Sequence, residues 1–273
     1  MLVRTVTIPA EWRDRYFIYL LADAHIGDAD CAEEELAAWL DGVRQNHHGR
    51  IVILGDLISA IGKGDRRLDL KAVAPWVIAR QPRFHEDVLA IEAERAVALL
   101  RPVQDRIDAW ISGNHEQKPR AWYGRDITRE MVRDLGLDPG VYLGSLGWLS
   151  YSFARSATAR RSLDIVLHHG TASGRHDGGQ AGQLEELLMD YDCDVAVVGH
   201  SHNTLGISKP QIRRDRKGAR LVQRDRRGIV AGTWQRTPGT SDTWQDERRL
   251  RPRRVGGVVI EYTVETGAIE VVA

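Results

Sequence analysis

Five short clusters of Asp, Asn and His recur along this chain, and most of them follow directly on a run of β-branched and apolar residues. In chain order the clusters are Asp23-Ala24-His25, Gly55-Asp56, Gly113-Asn114-His115-Glu116, His168-His169 and Gly199-His200-Ser201-His202. A short apolar run bounded by glycine or polar residues predicts a buried strand. The clusters therefore fall at strand ends, where side chains from several strands can converge on one point.

Runs of this kind predict strands at residues 16–22, 50–54, 107–112, 163–167 and 194–198. Between them, apolar residues recur at helical spacing in residues 32–46, 84–100 and 184–190. Strands that alternate with helices predict an α/β sheet. Later runs at residues 228–233, 256–264 and 268–272 have no helix between them, so antiparallel strands are expected to finish the sheet.

The chain has 273 residues, with no repeat and no low-complexity linker, and we expect a single domain over residues 1–273. Residues 57–106 are largely charged and helical in pattern and are predicted to be an insertion. Residues 209–254 are rich in Arg and Gly and are predicted to form a basic arm. The two cysteines, Cys31 and Cys193, form no framework or CxxC spacing, and no apolar run is long enough to span a bilayer. A cytoplasmic protein without a membrane partner is expected.

The clusters combine carboxylate, amide oxygen and imidazole groups without sulfur, which suits Mn²⁺, Fe or Zn²⁺. Asp23 and His25 alternate along what is expected to be extended backbone, so their side chains should point the same way. The same holds for His200 and His202. These clusters contain more ligands than one ion needs, which favours two ions that share a carboxylate.

As an ordered set, the clusters resemble the calcineurin-like metallophosphoesterase superfamily. Its pattern of DxH, GD, GNH(D/E), H and GHxH is matched between Asp23 and His202. The resemblance implies an α/β fold, a four-layer αββα metallophosphoesterase sandwich of two mixed β-sheets flanked by helices. It also implies an enzyme that hydrolyses phosphate esters at a dinuclear metal site.

The resemblance assigns roles to the matched residues. Three would hold the first metal ion: Asp23, His25 and His202. Three would hold the second: Asn114, His168 and His200. Asp56 would bridge the two ions, and His115 would protonate the leaving-group oxygen without binding metal. Two divalent cations are expected as cofactors, Mn²⁺ first, with Fe or Zn²⁺ as alternatives.

The fourth cluster leaves a choice between two adjacent histidines. We favour His168 as the ligand, because it directly follows the strand at residues 163–167 and matches the usual position in the family. His169 would then support a ligand or contact the substrate. His176, in the glycine-rich loop at residues 170–182, and Asn203 are also expected to contact the substrate.

The basic arm has two interpretations. Residues 209–227 contain nine Lys or Arg against Asp215 and Asp225. Such a patch can bind the phosphate backbone of a nucleic acid. It can equally be a solvated hairpin whose arginines pair with acidic neighbours. Residues 232–234 and 256–259 also resemble the endings of phage and prophage members of the superfamily.

Three hypotheses for the function follow. The first is a phosphodiesterase or phosphatase that acts on nucleotide or nucleic-acid substrates. The second is a DNA endonuclease or exonuclease resembling the double-strand-break repair nuclease. The third is a non-catalytic, metal-binding scaffold.

Overall fold

The computed structural model describes residues 1–61, 65, 68–80, 87–171, 177–214, 218, 220–237 and 251–272. Within these residues the chain forms eleven strands. They are β1 Leu2–Pro9, β2 Arg15–Leu21, β3 Gly49–Ile53, β4 Ile107–Trp110, β5 Leu146–Ala154, β6 Arg160–His168, β7 Val195–Val198, β8 Thr204–Arg214, β9 Leu221–Thr233, β10 Gly256–Thr263 and β11 Ala268–Val272.

The same described part contains six α-helices and three short 3₁₀ turns. The helices are α1 Glu33–Gln45, α2 Pro75–Arg80, α3 Val88–Leu100, α4 Asn114–Tyr123, α5 Ile127–Asp134 and α6 Asp177–Asp190. The 3₁₀ turns are Leu70–Ala72, Arg101–Arg106 and Pro139–Val141. None of the described helices is both long and apolar enough to cross a membrane.

The strands form two mixed sheets. In the first sheet the order is β1-β5-β6-β7-β9-β8, with antiparallel pairs at β5–β6 and β9–β8 and parallel pairs elsewhere. In the second sheet the order is β11-β10-β2-β3-β4, where β2, β3 and β4 run parallel. A two-residue antiparallel ladder between β9 and β10 joins the sheets. The later strands are thus antiparallel additions at β10 and β11, whereas β9 is parallel to β7.

The inner faces of the two sheets pack on each other and form a shared apolar core. Leu20 and Val52 of the second sheet belong to the same buried cluster as Tyr151, Ile165 and Val197 of the first. A second cluster covers the outer face of the second sheet, beneath α1, α3 and α5. Smaller clusters lie between α6 and the outer face of the first sheet. These four layers confirm the predicted αββα sandwich of two mixed sheets flanked by helices.

The helices begin where local sequence favours them. Three glutamates fill the first turn of α1, where negative charge is favourable for the helix dipole. The Asp87 and Asp126 carboxylates cap α3 and α5, since they accept hydrogen bonds from backbone N–H groups of the first turn. Leu36, Leu40 and Val43 then form one buried stripe on α1.

Several predicted elements differ from those observed. Strands β1 and β5 were not expected, although buried residues alternate with half-buried ones along β5. The helix predicted at residues 184–190 begins earlier, at Asp177. The helix predicted at 84–100 begins at Val88 in the described part, because residues 81–86 lie outside it. The division into one domain with an insertion at 57–106 and an arm at 209–254 stays a prediction.

Candidate metal centre

The predicted ligand clusters meet where the carboxyl ends of strands from both sheets come together. The His169 Nδ1 atom, just after β6, hydrogen bonds to the Leu54 carbonyl after β3 at 2.7 Å. The Gly199 N–H, after β7, donates to the His169 carbonyl at 2.9 Å. The Trp234 N–H, after β9, donates to the Asp23 carbonyl at 3.0 Å. Contacts of this kind bring the ends of five strands, β2, β3, β6, β7 and β9, to one edge of the sandwich.

Five of the predicted ligands adopt left-handed backbone conformations. Their φ angles are 50° at Asp23, 50° at His25, 48° at Asp56, 68° at His200 and 51° at His202. Residues with a Cβ rarely adopt such angles, which cost about 1–3 kcal/mol each and concentrate at functional sites. The extended backbone expected at residues 23–25 and 200–202 is therefore wrong, because the first and last residue of each segment has a positive φ.

The first group of ligand atoms comes from Asp23, His25 and His202, whose atoms lie within 4.8 Å of one another. The Nε2 atoms of His25 and His202 are 3.1 Å apart. The His202 Nε2 atom is 3.5 Å from Asp23 Oδ1. Among the described residues, this buried carboxylate oxygen has no hydrogen-bond partner. A buried oxygen without a partner, facing two imidazole nitrogens, fits a divalent cation.

The second group comes from Asp56, His169 and His200, whose ligand atoms also lie within 4.8 Å of one another. The His169 Nε2 atom lies 3.1 Å from Asp56 Oδ2 and 3.1 Å from Asn114 Oδ1. The His200 ring packs edge-on against the His169 ring, with centroids 5.3 Å apart. Asp56 also belongs to a third group of ligand atoms, with His25 and His115. This carboxylate therefore lies between the two groups.

The structure places the side chains of His168 and His169 on opposite faces of the first sheet. Strand β6 continues through His168, which pairs with Val198 of β7. Because side chains alternate along a strand, His168 shares the outer face with Val166, which packs in the cluster beneath α6. His169 instead points inward and is only 3% exposed. The structure thus brings His169, rather than the predicted His168, into the group with Asp56 and His200.

Glu116 is a structural support of the centre to which the sequence reasoning gave no role. Its Oε1 atom accepts hydrogen bonds from the N–H groups of Leu57 and Ile58, at 2.7 and 3.3 Å. Its Oε2 atom accepts from Asp56 and Gly113, at 3.0 and 2.9 Å. One buried carboxyl group therefore links two turns: the turn that carries Asp56 and the turn that begins α4. Its place in the GNHE cluster was the available signal.

The first turn of α4 also holds the Asp56 carboxylate directly. The His115 N–H donates to Asp56 Oδ1 at 2.8 Å. Carboxylates are favourable at the N-terminus of a helix because unpaired N–H groups and the helix dipole point at them. A Cβ atom on Gly113 would overlap this same oxygen. The glycine is therefore needed for the close approach of the two turns.

The His115 side chain is oriented by a backbone carbonyl. Its Nδ1 atom hydrogen bonds to the Ser59 carbonyl oxygen, so Nδ1 carries a proton. Its ring packs edge-on against His25, with centroids 4.6 Å apart. This arrangement leaves Nε2 as the atom that exchanges a proton. Ser59 was not identified from the sequence, since its contribution is a main-chain oxygen.

Burial and the mutual charges set the protonation of the centre. Burial raises the pKa of Asp23 well above its usual range, although His169 opposes this shift. Burial also lowers the pKa of His25 well below its usual range, and that of His202 to about 3, so both rings are neutral. Neutral imidazole is the form that binds metal ions.

Asp56 and His169 form a charged pair in the centre. Burial opposes the charge on His169, but Asp56 and Asp23 raise the pKa of its ring to about 10. Burial raises the pKa of Asp56, but the charges of His115 and His169 outweigh it and hold that pKa well below its usual range. A cation between these groups would replace the His169 proton, so metal binding would release protons.

Of the predicted substrate contacts, Asn203 is hydrogen bonded to helix α6. The Asn203 amide donates hydrogen bonds to Asp177 Oδ1 at 3.0 Å and to Gln180 Oε1 at 2.9 Å. Its side-chain N–H groups are therefore engaged with α6. His176 lies outside the described residues, so the prediction for it is untested.

Much of the described part of the predicted basic arm lies in the β8–β9 hairpin. Arg226 is buried, and its guanidinium donates to the Cys193 and Leu188 carbonyls at the end of α6. Arg224 pairs with Asp192 and Asp194. Strands rise about 3.3 Å per residue, so Leu221 lies about 40 Å along β9 from Thr233, which contacts Asp23. This end of the hairpin points away from the centre.

The chain belongs to the calcineurin-like phosphoesterase family, whose sequence model matches residues 18–204. It is accordingly a hydrolase that acts on phosphate esters. The match begins in β2 and ends just after His202, so it includes every predicted metal ligand. A search of curated proteins found no match. The resemblance to phage and prophage members stays a prediction.

Solved structures with weak similarity cover most of the chain. One is a conserved uncharacterized protein of Streptococcus pneumoniae TIGR4, described as a predicted phosphoesterase, with 11% identity over 95% of this chain and 98% of that one and a TM-score of 0.36. Another is Vps29 of Entamoeba histolytica complexed with Zn²⁺, with 12% identity over 94% and 97% and a TM-score of 0.37. A metallophosphoesterase of Sphaerobacter thermophilus shows 12% identity over 94% and 86% and a TM-score of 0.39. These scores are low, so membership of the family rests on the sequence match.

Proposed function

We propose that this hydrolase uses two divalent metal ions to hydrolyse phosphate esters of the nucleotide or nucleic-acid type. The observation that carries the proposal is the position of Asp56 between two groups of ligand atoms. A carboxylate has two oxygens and can therefore bind two cations at once. Mn²⁺ is the proposed ion, and Fe and Zn²⁺ suit the same oxygen and nitrogen ligands.

The proposed ligand sets follow the observed groups. The first ion would be held by Asp23, His25 and His202. The second would be held by Asn114, His169 and His200, with Asp56 between the two sets. When bound, two dications would neutralise the negative charge of the phosphate ester and lower the pKa of water. The uncompensated Asp23 carboxylate oxygen supports this assignment, because a cation would satisfy it.

His115 is proposed to deliver the proton that the leaving group needs. The Ser59 carbonyl holds Nδ1, which leaves Nε2 as the atom that donates to the leaving-group oxygen. Its main-chain N–H is bound to Asp56 at 2.8 Å, so the acid and the shared carboxylate keep a fixed relation. A group held in this way protonates an alkoxide or phenoxide as it departs.

The nucleic-acid alternative within the proposed substrate class depends on the basic residues at 209–254. The paired and buried arginines of the β8–β9 hairpin support the solvated-hairpin interpretation for part of the predicted arm. A mononucleotide in the metal centre would not reach the end of that hairpin, whereas a long polyanion would. A cytoplasmic location is proposed as well, supported by the buried free thiols of Cys31 and Cys193.

The test compares bis-p-nitrophenyl phosphate with p-nitrophenyl phosphate as substrates after chelation and addition of Mn²⁺. The wild type, His115→Ala and His48→Ala are assayed side by side, since His48 stacks on Tyr16 away from the centre. Metal-dependent turnover that falls about 10²- to 10⁴-fold only in His115→Ala supports the proposal. Preference for the diester would direct the next assays to DNA and nucleotides. No metal-dependent turnover of either ester, with Mn²⁺ bound, contradicts it.

A further inference from the structure

A single peptide unit connects the proposed acid to a second buried carboxyl group. The Ser59 carbonyl accepts a hydrogen bond from His115 Nδ1. The N–H of the same peptide, which belongs to Ala60, donates to Glu92 Oε2 at 2.7 Å. Because the peptide is planar and its two polar groups are conjugated, its orientation is held at both ends. Hydrogen bonds in such a chain polarise and strengthen one another.

Glu92 is out of pattern for its position. It lies on the buried face of α3, between apolar residues such as Leu89 and Ala96, and is only 2% exposed. A carboxyl group buried in this way is costly unless it is hydrogen bonded. An apolar residue at this position would extend the stripe of α3 into the core. A departure from the pattern at a position next to a candidate site points to a role at that site.

The surrounding backbone is shaped to accept this carboxyl group. Gly27 has a φ of +104°, and a Cβ atom there would overlap Glu92 Oε1. Ala60 has a φ of +49°, which is unfavourable for a residue with a Cβ, and it is only 4% exposed. Such conformations persist when surrounding contacts impose them. The hydrogen bond from the Ala60 N–H to Glu92 is one of these contacts. It belongs to the same peptide whose carbonyl is bound to His115 Nδ1.

We propose that Glu92 is a positioning residue that acts on His115 through the Ser59–Ala60 peptide. The carboxyl group fixes the peptide, and the peptide carbonyl fixes the imidazole with its proton on Nδ1. The Nε2 atom is then aimed at the leaving-group oxygen. This inference rests on the proposed role of His115 as the acid. It assigns a function to α3, within the segment predicted as an insertion, that none of the sequence clusters indicated.

The role makes distinct demands on substitutions. Glu92→Gln keeps an oxygen that accepts from the Ala60 N–H, so the peptide stays in place. Glu92→Met has similar length and no acceptor, so the peptide and then the His115 ring lose their orientation. Loss of an outer support of this kind typically costs about 10- to 100-fold in activity. The loss should fall on kcat, since Glu92 is not among the proposed ligands and does not line the ligand groups.

The experiment measures kcat and KM with Mn²⁺ for Glu92→Gln and Glu92→Met, each in the wild-type and His115→Ala backgrounds. Bis-p-nitrophenyl phosphate and diphenyl phosphate serve as substrates, because phenoxide is the poorer leaving group and depends more on an acid. We expect Glu92→Met to lower kcat for diphenyl phosphate about 10- to 100-fold, and less for the nitrophenyl ester. Glu92→Gln should stay within about threefold of the wild type.

The His115→Ala background separates positioning from a general structural effect. If Glu92 acts only through His115, Glu92→Met has no further effect once the imidazole is gone. An equal loss of kcat in both backgrounds, or a loss of bound Mn²⁺, would overturn the inference. If wild type and His115→Ala are equally active, the proposed function of His115 has failed instead, and the two failures are distinguishable.

A spectroscopic readout supplements the kinetics should Glu92→Met not fold. The Nδ1 proton of His115 is identified in NMR spectra by its absence from His115→Ala. In the wild type and in Glu92→Gln it should exchange slowly with solvent, because it is bound to the Ser59 carbonyl. Rapid exchange of this proton in the wild type, or a kcat of Glu92→Gln reduced equally in both backgrounds, would contradict the inference.

Discussion

Glu116→Gln is the substitution whose cost can be worked out most directly from the structure. Glu116 is 2% exposed and accepts four hydrogen bonds from backbone N–H groups, two at each carboxylate oxygen. Glutamine has the same shape but replaces one of these oxygens with an NH₂ group. Whichever way the amide faces, two buried N–H donors lose their acceptor and meet another donor.

An unsatisfied buried donor costs about 1–3 kcal/mol, so two donors predict a loss of about 2–6 kcal/mol in the free energy of unfolding. The turn that carries Asp56 should also loosen, and Mn²⁺ affinity should fall about 10- to 100-fold. Urea unfolding of the metal-free protein measures the first effect, and calorimetric titration with Mn²⁺ measures the second.

The matched control is Glu94→Gln, which makes the same chemical change at a side chain that is 67% exposed and pairs with Arg80. Exposed ion pairs contribute about 0–1 kcal/mol, so the control should unfold almost as the wild type does. The reasoning is refuted if Glu116→Gln and Glu94→Gln differ by less than about 0.5 kcal/mol in the free energy of unfolding, with equal Mn²⁺ affinity.

Three further predictions test other parts of the site. His169→Ala should lower Mn²⁺ affinity and turnover about 10²-fold or more, whereas His168→Ala should change turnover less than about threefold. Calorimetric titration with Mn²⁺ and diester hydrolysis measure the two effects. The reverse result would favour His168 as the ligand. Gly113→Ala should displace the Asp56 carboxylate and cost about 1–3 kcal/mol in urea unfolding, whereas Gly182→Ala in α6, where a Cβ meets no atom within 4 Å, should be neutral or stabilising. Burial raises the pKa of Asp28 from 3.8 to about 7, so the folded chain keeps a proton that the unfolded chain releases, and stability should fall as the pH rises through that window. Asp28→Asn should remove this contribution to the pH dependence. The prediction is contradicted if the free energies of unfolding of the wild type and of Asp28→Asn run parallel from pH 4 to 8.

The positions of most proposed ligands could be predicted because their sequence signal is local. A buried apolar run fixes where a strand ends, and the Asp, Asn or His that follows must then lie at the carboxyl edge of the sheet. Asp23, Asp56 and His200 were found in this way, and the structure brings them together. The two mixed sheets with outer helices were also predicted, through the resemblance those clusters carry.

The choice between His168 and His169 could not be made from the sequence. It depends on whether β6 ends at Leu167 or continues for one more residue, and a shift of one residue moves a side chain to the opposite face. The pairing of His168 with Val198 in β7 shows that β6 continues through His168, which turns His169 toward the centre. That pairing is a long-range contact, which no local pattern contains.

The supports of the site were missed for a different reason. Ser59 contributes a main-chain oxygen, and Glu92 acts from a helix thirty-odd residues away in the sequence. The only sign of Glu92 in the sequence is a charged residue on an otherwise apolar face of α3. The direction of the β8–β9 hairpin was equally hidden, because composition shows that a segment is basic but not toward which end of the sheet it extends.

In the proposed site, two metal ions share the Asp56 carboxylate. The most direct measurement is calorimetric titration of the chelated, metal-free protein with Mn²⁺, with diester hydrolysis followed on the same samples. The structure predicts about two ions per chain, with turnover that rises as the second site fills. Binding of one ion or none, or turnover that is complete before a second ion binds, would contradict it.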